Sequence, residues 1–63
     1  MDNRLKEIRE KLGMSQEELS VKSGVARTII SRIETGKDIN IQINTVKKIA
    51  DAVGENASDI FIL

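Results

Sequence analysis

The feature that most limits what this chain can become lies between Ser15 and Lys37. Two helical patterns, Gln16 to Ser23 and Arg27 to Thr35, are separated only by Gly24, Val25 and Ala26. A connector this short makes two helices cross at a steep angle. Ser15 followed three residues later by Glu18 is a capping box that starts the first of them. Gly24 ends it, in the left-handed conformation that glycine tolerates best. Leu19, Val25, Ile30 and Ile33 are spaced to fill the angle between the helices, and Gly36 stops the second. The expected cap position of that second helix holds Ala26, which offers no acceptor to the first turn. Relative to serine this costs about 0.5–2 kcal/mol.

Apolar spacing extends the helical reading to the rest of the chain. A first helix runs from Asn3 to Leu12, with Leu5, Ile8 and Leu12 on one stripe, Asp2 as its cap and Gly13 as its stop. Residues 37–44, KDINIQIN, alternate like a strand, but a lone strand has no partner here, so the segment reads as an extended loop. A fourth helix runs from Thr45 to Val53, capped by Asn44 and ended by Gly54, with Val46, Ile49, Ala50 and Val53 buried. A short fifth helix covers Ala57 to Phe61, capped by Asn56, with Asp59 in its favourable first turn. The expectation is an all-α, five-helix domain over residues 1–63. Its core is Leu5, Ile8, Leu12, Leu19, Val25, Ile30, Ile33, Ile43, Val46, Ile49, Val53, Ile60 and Phe61.

Composition narrows the function. The chain has 63 residues and no histidine or cysteine. The commonest general base and metal ligand is therefore missing, and so are disulfides and thiolate sites. No catalytic residues, metal, cofactor or small-molecule ligand are expected, and the chain does not read as an enzyme. No run of about 18 apolar residues exists to span a membrane. Met1 is followed by Asp2 and not by a basic and then apolar segment, so no signal peptide is read and a cytoplasmic location is expected. Ten basic and ten acidic side chains balance to zero, which argues against a nucleic-acid partner. Their distribution argues for one. Residues 22–48 carry Lys22, Arg27, Arg32, Lys37, Lys47 and Lys48 against Glu34 and Asp38.

The outward side of the helix beginning at Arg27 shows Arg27, Thr28, Ser31 and Arg32, opposite Ile30 and Ile33. Arginine holds guanine with two hydrogen bonds, and threonine gives a hydroxyl or meets a thymine methyl. A helix carrying such residues at its start, set by a tight turn against another helix, suits the major groove of DNA.

At this point the chain resembles the helix-turn-helix regulators of the Cro and phage-repressor type. The marks are the Ser15-Gln16-Glu17-Glu18-Leu19 opening, the Gly24-Val25 turn, the Ile30-Ser31-Arg32-Ile33-Glu34 run and Gly36-Lys37. Downstream, Thr45, Ile49-Ala50, Val53 and Gly54 complete the pattern. The resemblance implies a lambda-repressor-like fold and a protein that binds double-stranded DNA as a transcriptional regulator, most simply a repressor. It implies that Arg27, Thr28 and Arg32 read bases, with Ile29 and Ser31 beside them. Gln16, Lys37, Asn40 and Gln42 would hold the DNA backbone. Arg9 and Glu34 would form a structural ion pair. Such proteins bind as two-fold dimers, and the apolar residues left for a homodimer are Ile39, Ile41, Ile62 and Leu63.

Departures from the pattern fall at the turn and the loop. Ser20 stands where alanine is usual and suggests crowding, Ala26 replaces the usual Ser or Thr cap, and Asp38 stands where a basic residue would help. Glu55 stands where an apolar residue is common. Two other roles fit these residues: an antitoxin or controller subunit with a protein partner, or a protein-interaction module that no longer binds DNA.

Overall fold

A computed structural model describes residues 3–37 and 40–61. Five helices succeed one another: α1 (Leu5–Lys11), α2 (Gln16–Ser23), α3 (Arg27–Glu34), α4 (Ile43–Val53) and α5 (Ala57–Ile60). α2 packs on both α3 and α4, α1 packs on α3, and α5 packs on α4. The fold is all-α. Strand-like pairing among the described residues is limited to one isolated antiparallel bridge between Asn3 and Phe61.

Local chemistry sets most of the boundaries. The Ser15 hydroxyl accepts the Glu18 N–H while the Glu18 carboxylate accepts the Ser15 N–H, both at 3.0 Å, so the capping box is complete. Gly24 closes α2 with φ +74°. At the end of α3, the Gly36 N–H reaches the Ile33 carbonyl and the Lys37 N–H reaches the Arg32 carbonyl, both at 3.0 Å. That pair of bonds satisfies carbonyls the helix would otherwise leave orphaned and directs the chain away from α3. Ala26 makes no side-chain cap, as its chemistry requires.

Other boundaries depart from expectation. α4 begins at Ile43, two residues early, so Asn44 lies inside it; the position before the helix is Gln42, without a side-chain cap bond. The loop is correspondingly shorter. α1 starts at Leu5, whose N–H is accepted by Asn3 Oδ1 at 3.1 Å; Asp2, the expected cap, lies outside the described residues. Asn56 precedes α5 as expected but makes no side-chain cap bond, and the helix ends at Ile60, with Phe61 extended.

The core consists of Leu5, Ile8, Leu19, Val25, Ile30, Ile33, Ile49, Ala50, Ala52, Val53, Ile60 and Phe61. Two expected members are exposed instead, Leu12 at 50% and Ile43 at 72%. Both share a buried stripe by spacing. Both also sit at a helix end, where they are only partly covered; Leu12 shares a cleft with Glu55 and Asp59. Val46 and Ile41 are half-buried and pack on the core from its edge.

Candidate nucleic-acid interface

The third helix turns its polar side chains outward. On α3, Arg27, Thr28 and Arg32 are exposed and Ile29 is 38% exposed. Ser31, expected beside them, is half-buried, so it is a poorer candidate for reaching a base than its neighbours. A groove lined by Ile29, Arg32, Asn40, Ile41, Gln42 and Thr45 joins the outer face of α3 to the adjoining loop and the first turn of α4. The structure thus brings two expected base readers together with two expected backbone contacts from the loop beyond α3. Thr45 joins them; its place at a helix start disguised it in the sequence. Lys37 is exposed, directed by the turn that closes α3.

Glu34 lies against Arg9, not on this surface. The guanidinium grips the carboxylate with two bonds, Nε to Oε2 at 2.7 Å and Nη2 to Oε1 at 3.0 Å. The side chains are 10% and 3% exposed. Arg9 Nη1 also donates to the Met14 carbonyl at 2.7 Å, just ahead of the α2 cap. Gln16 adds a further bond, its Nε2 to Glu34 Oε1 at 3.1 Å. One carboxylate therefore ties the end of α3 to α1 and to the start of α2. Burial alone would push the Glu34 carboxyl up. The hydrogen bonds from Arg9 and Gln16, with the charges of Arg9 and Lys6, outweigh it and hold the group below the ordinary carboxylate range. The bond to Glu34 likewise raises Arg9 against the opposing effect of burial.

This pairing changes the charge balance of the segment from Lys22 to Lys48. Among the described residues between 22 and 48, every exposed charge is positive: Lys22, Arg27, Arg32, Lys37, Lys47 and Lys48. The one acid described there, Glu34, is folded inward and neutralised. The zero net charge of the whole chain conceals this.

The dimer residues expected from the sequence fare differently. Ile41 packs on the core and is not a free apolar contact. Ile39, Ile62 and Leu63 lie outside the described residues, as does Asp38. Ser20, expected to crowd the turn, is half-buried and donates to the Val25 carbonyl at 2.7 Å.

Two helices joined by three residues, with a packed inner angle and two arginines exposed on the second, define a helix-turn-helix unit. The chain belongs to the helix-turn-helix family, whose model matches residues 5–60. Two uncharacterized HTH-type transcriptional regulators of Archaeoglobus fulgidus are each 42% identical over 62 residues. These alignments cover 98% of this chain and 87% and 86% of the two regulators. A segment of a glutamine–fructose-6-phosphate aminotransferase of Methanocaldococcus jannaschii is 36% identical over 58 residues. It matches 92% of this chain, which spans only 5% of that enzyme's length. No helix among the described residues is long and apolar enough to cross a membrane.

Proposed function

We propose that this chain binds double-stranded DNA sequence-specifically and regulates transcription, as a repressor that occludes a promoter. The observation that carries this reading is the exposure of Arg27, Thr28 and Arg32 on the outward side of α3, where Arg32 shares a groove with Asn40 and Gln42. In the complex, α3 lies in the major groove, with Arg27 and Thr28 at its leading end on base edges and Ile29 against a thymine methyl. Arg32, one turn on, meets a further base edge, while Asn40 and Gln42, which share its groove, track the backbone together with Lys37. Gln16 keeps one amide N–H on Glu34 and offers the other to a phosphate. The names of the two archaeal regulators support the same role. Two copies bind a pseudo-palindrome with their α3 helices one DNA turn apart.

The test is selection of binding sites from random DNA, then titration of the selected site against scrambled DNA at several salt concentrations. The logarithm of affinity should fall with the logarithm of salt by about 0.9 per phosphate contact. Arg27→Ala should cost roughly 1–3 kcal/mol on the selected site and relax preference at one base pair. An equal loss on scrambled DNA would remove Arg27 from the base readers.

A further inference from the structure

A serine inside a helix usually turns its hydroxyl back onto the carbonyl four residues earlier. Ser20 does not. Its Oγ donates forward across the turn to the Val25 carbonyl at 2.7 Å. The Val25 N–H donates to the Ser23 hydroxyl at 3.2 Å. Between them, the Gly24 N–H reaches the Ser20 carbonyl at 2.9 Å. The peptide groups on either side of the Val25 Cα are therefore both held by hydroxyls from α2, while the Val25 side chain is anchored in the core at 5% exposure.

Beyond this brace and the packing of Val25 and Ile30, the start of α3 has no side-chain cap. Ala26 caps nothing. The Ile29 and Ile30 N–H groups converge on the Ala26 carbonyl, at 3.0 and 3.1 Å. The first turn of α3 therefore hangs from the Ala26–Arg27 peptide, the next along the chain after the one whose Val25 carbonyl Ser20 holds, and Arg27 and Thr28 stand on that turn. Reading base edges requires side chains placed to within about half an ångström. A hinge at Val25 would blur both residues.

We propose that Ser20, seconded by Ser23, is a positioning residue for base recognition. Its hydroxyl leaves the cap of α3 unmade but fixes the turn ahead of it from the side of α2, and so sets the angle at which Arg27 and Thr28 meet DNA. This rests on the reading of those two residues as base contacts. It also explains why a half-buried serine stands where the family resemblance leads one to expect alanine.

The experiment compares the wild-type chain with Ser20→Ala, Ser23→Ala and Ser20→Thr, the last of which keeps the hydroxyl. Alanine is a better helix former than serine, so Ser20→Ala folds. In free protein, amide exchange at Ile29 and Ile30 should speed up in both alanine variants. Affinity for the selected site should fall about three- to tenfold, as expected for one neutral hydrogen bond. Affinity for scrambled DNA and the salt slope should not change, and Ser20→Thr should restore selectivity. Undiminished selectivity in Ser20→Ala would overturn the proposal, with or without faster exchange. So would an equal loss on both DNAs. A wild-type chain that selects no sequence would sink the base-reading assignment itself, and the positioning role with it. That failure is recognised without any variant.

Discussion

Among individual residues, Glu34 carries the most structure. It accepts two bonds from Arg9 and one from Gln16, and these hold its carboxyl below the usual range. A carboxylate depressed in the folded state contributes stability that is complete above the unfolded value, about 4.3, and lost as pH falls through the lower folded value. Urea midpoints should therefore be flat near neutrality and decline below about pH 4. Glu34→Gln should remove that decline. It should also cost about 3–5 kcal/mol at neutral pH, because Arg9 is left buried without its counter-charge. An unchanged acid limb in this variant would remove Glu34 as the source of the decline. The pair itself is visible in the sequence only through family resemblance, since its members stand 25 positions apart. The bond from Arg9 to Met14 has no signal at all. Nothing in a one-dimensional pattern says which carbonyl a guanidinium will find.

Among elements, the α2–α3 pair shows where sequence reading works and where it stops. The capping box, the glycine stop and the inward residues are legible because each depends on neighbours within one turn. The uncapped Ala26 is legible for the same reason, and it gives a prediction. Ala26→Ser places an acceptor at the start of α3 and should raise stability by about 0.5–2 kcal/mol, read as a higher urea midpoint with an unchanged slope. Ser20 escapes such reading because its partner lies across the turn, where an apparent crowding residue becomes a bond donor. Leu12 and Ile43 escape it for another reason. Periodicity tells which side of a helix a residue occupies, not whether anything lies opposite. At the ends of α1 and α4 too little does, and these residues are 50% and 72% exposed. The early start of α4 is equally hidden, since no side-chain cap marks it.

At the scale of the molecule, the exposed Ile43 adjoins Gln42 and the groove that α3 shares with the loop. If two copies meet on DNA as proposed, this exposed apolar side chain is a candidate contact for the second one. Ile43→Lys should leave stability within about 0.5 kcal/mol, as for exposed sites generally. It should also separate the loading of two chains on the selected site into two weaker steps, read by sedimentation of the complex. Joint loading as in wild type would remove Ile43 from the contact. The bridge between Asn3 and Phe61 has a consequence in time. The Arg4 N–H meets the Ile60 carbonyl at 2.8 Å, and Asn3 Nδ2 reaches the Ile33 carbonyl at 2.8 Å. These contacts close long loops in the chain, and loop-closure entropy delays such contacts relative to the local α2–α3 pairing. They should be absent from the folding transition state. Asn3→Ala should therefore hasten the loss of the native state, raising the unfolding rate while leaving the refolding rate nearly untouched in stopped-flow measurements. The knot that ties the two ends together would be the last to form and the first to open, so it sets how long the folded molecule lasts more than how quickly it appears.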